Sequence, residues 1–495
     1  MRSTAGSRWP FAVVFLLSAI AFTFIHSPLS LHFKQLLLFL VSRHPLLLCL
    51  FWCSLVSLAA FLIRRPLPVF LVDYSCHKPD DDHRSSFELC EYFGRRNQSH
   101  SSESEDFMRA IFSKSGLGDE TYAPPFIFHS DDLRAKLHCA VQEAEEGMFG
   151  SVQHLLAKTD VHPSQIGLVI TACSMFTPAP SFSSMLVRRF GMPEGVKTFN
   201  LSGMGCSAAT VAFDLAAKVL RKRKGYGLIV VTESISLNLY FGDNRHMLVT
   251  NCIFRVGTAA ALVSSDPAAR PRAKMELVQS LRTHHGADDA AYNAAIQMED
   301  EDGQVGVALT KDLIRVAGAG LRSHITTLAP SVLPVAEMLR YACRVARLYL
   351  GDDLKAAKAH VPDFKSAFEH MCIHAGGKAV IDAVRRLMRL EEEVVEPARM
   401  CLHRFGNTSS SFVFYELAYF EAKRRIKKGD RVWMLAFGTG FKACSVVWRA
   451  LRDSTMDSDN PWALCIHRYP FYPPRPPTKP SSKLQDAAIH KNGYT

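Results

Sequence analysis

The chain has no Cys-x-x-Cys pair, and its 13 cysteines are scattered and odd in number. That spacing argues against a zinc ribbon and a disulfide framework, and leaves most of the thiols as reduced, buried small hydrophobes. No nucleic-acid-binding module is visible either, although the formal net charge is +11. The longest basic clusters, Arg221-Lys222-Arg223-Lys224 and Lys423 to Lys428, each close a helical pattern, where cations complement the helix dipole. Two stretches lack charge altogether: residues 9–25 and 46–63 contain no Asp, Glu, Lys or Arg. They read as a hairpin of two membrane spans, with a cleaved signal peptide as the rival reading of the first.

Arg2 and Arg8 precede this hairpin, Arg64 and Arg65 follow it, and Lys34 and Arg43 lie between the runs, so the charge bias tilts both ends toward the cytosol. The sequons Asn200-Leu-Ser202 and Asn407-Thr-Ser409 point the same way. Both fall in segments that carry the candidate chemistry, where luminal glycosylation would be harmful.

What the sequence does have is an α/β pattern. Ile166-Gly-Leu-Val-Ile-Thr171 and Leu228-Ile-Val-Val-Thr232 read as buried strands, and Lys378 to Leu390 reads as an amphipathic helix with Val380, Val384 and Leu387 on one face. The expected organisation is a membrane anchor over 1–65, a connecting segment over 66–106 that is polar and exposed from Asp80 to Asp106, two halves over 107–290 and 291–466, and a Pro-rich disordered tail over 467–495. A weak internal repeat supports the two halves. Gly205-Cys206-Ser-Ala-Ala and Gly406-Asn407-Thr-Ser-Ser each open a helix that runs to a basic cluster, a glycine and a buried strand. The repeat makes Cys206 and Asn407 equivalent, able to converge on a pocket between the halves.

Cys206 stands where an extended segment meets glycines and a run of small residues that begins a helix. The helix dipole is expected to lower its pKa, and the glycines to admit a bulky substrate; the alternative is a buried structural cysteine. His374 follows the apolar run Met371-Cys-Ile373 and precedes a glycine pair, so it should project from a strand end; the plain alternative is a satisfied polar group. Asn407 could equally be a helix N-cap. Together the three fit a reaction that needs a nucleophile and neutral donors to a developing enolate oxygen.

Several long motifs occur in one order: Arg65-Pro-Leu-Pro-Val-Phe-Leu-Val-Asp-Tyr-Ser-Cys76, Ser115-Gly-Leu-Gly-Asp-Glu-Thr-Tyr-Ala-Pro-Pro125, Asn251-Cys-Ile-Phe-Arg-Val-Gly257, Arg282-Thr-His-His-Gly-Ala-Asp288, Cys372-Ile-His-Ala-Gly-Gly377, Leu402-His-Arg-Phe-Gly-Asn-Thr-Ser-Ser-Ser411 and Glu416-Leu-Ala-Tyr419. In these the sequence resembles the plant-type 3-ketoacyl-CoA synthases, the condensing enzymes of very-long-chain fatty acid elongation in the thiolase-like superfamily. The resemblance implies a five-layered αβαβα fold of two similar halves behind the membrane hairpin. It carries the catalytic cysteine, histidine and asparagine onto Cys206, His374 and Asn407, and marks His284, His370 and His403 as further site residues. Backbone N–H groups of Cys206 and of the Gly438-Thr-Gly440 turn become the expected oxyanion hole. The substrates implied are acyl-CoA and malonyl-CoA, with no metal or redox cofactor. A homodimer at the endoplasmic reticulum membrane is implied, its catalytic part facing the cytosol, in company with the elongase reductases and dehydratase.

Four departures stand out against the pattern: Ser202 and Thr258 where glycines are usual, His246 where a serine is usual, and the Pro-rich tail. A silent scaffold subunit of an elongase complex and a polyketide-synthase-like condensing enzyme are the alternative functions.

Overall fold

The computed structural model describes residues 52–57, 66–96, 100–129, 134–349, 362–374 and 376–471. Two compact units emerge, residues 1–66 and 67–495. In the first, residues 52–57 are helical, with Trp52, Leu55 and Val56 exposed. The expected spans at 9–25 and 46–63 otherwise lie outside the described residues, and no helix among the described residues is long and apolar enough to cross a membrane.

The second unit is built on nine strands: β1 (Phe70–Cys76), β2 (Ile166–Ala172), β3 (Lys197–Leu201), β4 (Tyr226–Thr232), β5 (Thr258–Ser264), β6 (Met275–His284), β7 (His370–Ile373), β8 (Arg431–Gly438) and β9 (Lys442–Ala450). They form one mixed sheet in the order β7-β8-β9-β6-β1-β5-β4-β2-β3. β2 runs parallel to β3 and β4, and β7 parallel to β8; the other pairs are antiparallel. The inner strands β1, β2, β4, β5, β8 and β9 are buried almost throughout because both faces are covered, whereas the edge strand β3 is exposed.

The sheet is nearly two sheets. β1 meets β6 only through Phe70↔Glu276 and Leu71↔Met275, whereas β6 pairs with β9 along most of its length. On one side of this seam β1, β5, β4, β2 and β3 make up the first half; on the other, β6, β9, β8 and β7 repeat the pattern of its first four strands. The boundary between halves therefore falls between Ser264 and Met275, earlier than the expected residue 290.

Two helices fill the space between the halves. α2 (Ala208–Leu220) contacts β2 and β4 of the first half and β6, β8 and β9 of the second. Its small buried residues Ala208, Ala209, Ala212, Ala216 and Ala217 allow close approach on several sides. α6 (Phe412–Ala422) touches β1, β7 and β8, and every residue from Phe412 to Glu421 is buried, as expected of a helix apolar all round. On the outer face of the first half α1 (Leu137–Thr159) packs through Ala140, Ala144, Met148, Val152 and Leu155, in a core separate from that around α2. α3 (Leu313–Val332) packs on β6 and β9 of the second half, and α4 (Lys378–Met388) packs on α3. The expected face of α4 is close to the observed one: Ile381, Val384 and Met388 are buried, and Val380 and Leu387 partly so.

Two expectations are corrected here. Residues 66–106 are more than a connecting segment, because they supply β1 at the centre of the sheet, and within the stretch expected to be exposed the helix Phe87–Arg96 stacks Phe87 on Phe112 with ring centroids 4.5 Å apart. The polar run misled because part of it caps a helix: Ser101 accepts a hydrogen bond from the Ser104 N–H. The tail is ordered at its start, where Tyr469 is buried and Phe471 packs on His403 with centroids 4.6 Å apart. Residues 472–495 lie outside the described residues.

Candidate active site

Each central helix is entered through a single 3-10 turn, Gly205–Ser207 before α2 and Ser409–Ser411 before α6. In both the first residue is left-handed, with φ 59° at Gly205 and 53° at Ser409. A Cβ on Gly205 would lie 2.5 Å from the Thr439 nitrogen, so only glycine lets this turn lie against the Gly438-Thr-Gly440 turn. Ser409 tolerates the conformation because Asn407 Oδ1 accepts its N–H at 2.9 Å and its hydroxyl reaches Glu233 Oε2 at 3.0 Å. The structural counterpart of Cys206 is thus Ser410, each following a left-handed residue and lying two before its helix. Asn407 lies five before its helix, so the sequence repeat was three residues out of register at this point.

Cys206, His374 and Asn407 nevertheless line one cavity of about 520 Å3, together with His284, Gly438 and Gly440. Its walls also carry Met175, Phe254, Ile296, Val307, Leu309 and Leu313, an apolar surface suited to an acyl chain. Ser409 Oγ lies 3.5 Å from Cys206 Sγ. Burial pushes the Cys206 thiol up to about 12, and the nearby Glu233 adds to the rise, while the Ser409 hydroxyl opposes it. The expected fall in pKa at a helix start is not found: removal of the thiolate from water outweighs the dipole.

His374 follows β7, its N–H donating to Leu435 O at 2.9 Å, and its ring meets Phe412 edge-on at 5.5 Å. Burial pulls its pKa down to about 4, against a smaller opposite pull from the Asn407 side chain, so the imidazole is neutral near pH 7. Its Nε2 is buried with no hydrogen-bond partner. Asn407 is clamped by its backbone, its N–H donating to Ile253 O and its carbonyl accepting from Arg255 N, both at 3.0 Å. One amide hydrogen reaches Gly376 O at 3.3 Å and the second remains free to donate. A neutral imidazole with an orphaned ring nitrogen and an amide with a spare N–H therefore share a cavity with a thiol.

His370 and His403 are not part of this arrangement. His370 opens β7 at the end away from His374, with Nε2 2.9 Å from Asp430 Oδ2 and its ring beside Phe420. His403, on the helix α5 (Glu392–Phe405), sets Nδ1 3.1 Å from Tyr469 Oη. Both are satisfied polar groups that brace the second half. Of the departures, Ser202 and His246 are exposed, and Thr258 is buried in β5 with Oγ1 2.6 Å from Thr232 Oγ1; none lines the cavity.

Sequence reasoning missed Glu233, Ser409 and Lys442, which line the same cavity. Glu233 Oε1 accepts from Ser174 N at 2.9 Å and Met175 N at 2.8 Å, and burial raises its carboxyl pKa. The available signal was an acidic residue directly after the buried run Leu228–Thr232, at the carboxyl end of a strand in a parallel pair.

Comparison with known proteins agrees with this geometry. Residues 61–349 match the family described as FAE1/Type III polyketide synthase-like protein, and residues 365–450 match the 3-oxoacyl-[acyl-carrier-protein] synthase III C-terminal family. The chain is 46% identical to 3-ketoacyl-CoA synthase 17 of Arabidopsis thaliana, over 84% of this chain and 85% of that one. It is 44% identical to the probable 3-ketoacyl-CoA synthase 20 of Oryza sativa subsp. japonica, covering 87% and 83%. Among solved structures, CsyB in complex with CoA-SH aligns with TM-score 0.61 at 18% identity over 77% of this chain and all of that one. PKS-I of the brown alga Ectocarpus siliculosus aligns with TM-score 0.61 at 16% identity, over 78% and 99%. These two likenesses show the fold alone, and the close relatives establish that the chain belongs to the 3-ketoacyl-CoA synthase family.

Proposed function

We propose that this protein condenses a long-chain acyl-CoA with malonyl-CoA to give 3-oxoacyl-CoA, carbon dioxide and CoA, the first step of very-long-chain fatty acid elongation. One observation carries the reading: a thiol, a neutral imidazole with an unpartnered Nε2 and an amide with a free N–H line a single apolar cavity.

In the first half-reaction Cys206 sulfur attacks the acyl thioester carbonyl, and the tetrahedral oxygen is held by backbone N–H groups of Cys206 and the 438–440 turn. CoA leaves as its thiol, carrying away a proton equivalent to the one lost by Cys206, so this step needs no net base. His374, neutral and adjacent, is suited to pass that proton. Malonyl-CoA then enters and its C–C bond to the carboxylate breaks, releasing carbon dioxide and leaving an enolate. His374 Nε2–H and the free Asn407 N–H donate to the enolate oxygen. The carbanion attacks the acyl-cysteine, the 3-oxoacyl-CoA departs, and one solvent proton restores the Cys206 thiol. The chemistry as written uses no metal or redox cofactor.

We further infer that residues 9–25 and 46–63 anchor the chain in the endoplasmic reticulum membrane, with the catalytic unit in the cytosol. The lack of charge in both runs supports this, as does the helix Val335–Tyr349, which exposes Val335 and Leu339 beside Arg340 in the manner of an interfacial helix. A homodimer is favoured by β3, an edge strand whose residues Lys197 to Asn200 are all exposed, Phe199 included. The reductases and dehydratase of elongation follow as partners from the product's chemistry, which requires reduction of its new ketone.

The test is malonyl-CoA-dependent elongation by microsomes carrying the full chain, with a ladder of acyl-CoAs, beside Cys206→Ala. Ketoacyl product two carbons longer than the primer from the unaltered chain alone is the expected result. Absence of product with every primer, from folded and inserted protein, would favour the scaffold reading instead.

A further inference from the structure

Lys442 opens β9 in the wall of the same cavity and is only 6% exposed. Of its three ammonium hydrogens one is directed at the Thr439 carbonyl, and no carboxylate among the described residues forms an ion pair with it. A buried ammonium without a counter-charge is costly, and such a group persists where a ligand supplies the missing anion. Burial and the nearby Arg282 draw its pKa below that of a free lysine, which is the strain an anion would relieve.

The residues beside Lys442 on the adjoining strand are basic. Lys442 pairs across strands with His284, an exposed residue lining the same cavity. His284 Nδ1 accepts the Gly286 N–H at 3.1 Å, which leaves its Nε2 as the donor in the neutral ring. Partial loss of water lowers the His284 pKa, and the neighbouring Lys442, His285 and Arg282 lower it further. The Arg282 guanidinium has an acidic neighbour in Asp214 at 3.8 Å. Lys442 does not.

We propose that Lys442 and His284 form an anion seat in the cavity wall that takes a negatively charged group of the thioester substrate, either a phosphate of CoA or the carboxylate of malonyl-CoA. The seat rests on the condensing reading given above and adds to it a site that holds charge apart from the groups that stabilise the enolate. Lys442 and His284 would position the substrate; neither touches the forming bond.

Malonyl-CoA carries both anions, so its equilibrium binding tests the seat without turnover. Full chain in detergent micelles, with Cys206→Ala to block reaction, is titrated calorimetrically alone and with Lys442→Gln, Lys442→Arg or His284→Leu added. Lys442→Gln should weaken malonyl-CoA about tenfold or more, Lys442→Arg should restore most of the affinity, and His284→Leu should weaken it by a smaller factor. Free CoA and malonyl-N-acetylcysteamine separate the sources: weaker CoA binding assigns the phosphate, weaker binding of the truncated malonyl thioester assigns the carboxylate. Acylation of Cys206 by a neutral acyl-N-acetylcysteamine thioester, which brings no anion to the seat, is the control for the 438–440 turn, and in the Lys442→Gln protein it should fall by a much smaller factor than malonyl-CoA affinity does. Loss of that acylation would mean that lysine merely holds the 438–440 turn, and unchanged malonyl-CoA affinity would overturn the seat. Failure of the Cys206→Ala parent to bind malonyl-CoA at all would overturn the condensing reading itself.

Discussion

At the residue scale the site is governed by desolvation more than by dipoles. Cys206 was legible as a candidate nucleophile from its glycines and its helix start, but its protonation state was not, because that depends on how completely the fold removes it from water. With the thiol pushed up to about 12, alkylation of Cys206 by iodoacetamide should climb steadily from pH 7 to pH 10 without a plateau. Mass spectrometry of the Cys206 peptide separates it from the exposed Cys53 and Cys343. A plateau near neutrality would instead indicate a thiolate stabilised as the helix start suggested. Asn407→Ala removes one enolate donor and the acceptor of the Ser409 N–H together, and should lower condensation by about 10²–10³. Acylation of Cys206, measured by single-turnover trapping, should fall far less.

The same scale shows where residue types mislead. Five histidine and asparagine positions were marked beside Cys206, and the fold brings only His284, His374 and Asn407 into its cavity. His370 and His403 are held by Asp430 and Tyr469, partners remote in sequence that no spacing rule could supply. Glu233 was hidden for a related reason: its carboxylate accepts the hydroxyl of Ser409, on the other half of the molecule.

At the scale of elements, the repeat was visible in outline because helix starts, basic ends and buried strands follow local rules. Its register was not, since the left-handed residue that sets it is glycine in one copy and serine in the other. The central helix α6 carries a second consequence of full burial. Glu416 is wholly enclosed, both carboxylate oxygens lack partners, and burial raises its pKa well above 4.5. A carboxyl raised in the folded state keeps a proton that the unfolded chain releases, so it costs stability increasingly as pH rises above 4.5. Glu416→Gln should therefore be more stable than the unaltered protein at pH 7.5. The gap should shrink toward pH 4.5, changing by up to about 1.4 kcal/mol per pH unit in denaturant titrations. A gap independent of pH would show that Glu416 is ionised in the fold.

At the scale of the whole molecule the halves are joined by the buried helices α2 and α6, by the short strand seam and by a network of charges. Lys274 Nζ lies 3.1 Å from Glu421, 2.9 Å from Asp457 and 3.5 Å from Asp73, while Lys158 pairs with Asp73 at 3.1 Å and Asp459 at 3.2 Å. This network ties β1, α1, the entry to β6, α6 and the C-terminal segment. Lys274→Met leaves the buried Glu421 without a cation, while Asp73 and Asp457 keep Lys158, and should cost about 3–5 kcal/mol, read as a lower denaturant midpoint. Much less than that would mean that the acids simply take up protons. None of this joint was legible in the sequence, where Asp73, Lys274 and Asp457 sit in unrelated contexts.

The two 3-10 turns that enter the central helices share a backbone but not a side chain, and this gives the chamber a sense of direction. A dimer of identical halves would offer two interchangeable places for an acyl group. Here one turn ends in sulfur and the other in the Ser410 hydroxyl, with the amide and the imidazole both on the hydroxyl's half. On the proposed reaction, the chamber therefore offers a single seat for an acyl group, on the sulfur, and the opposite half can serve it only with hydrogen-bond donors.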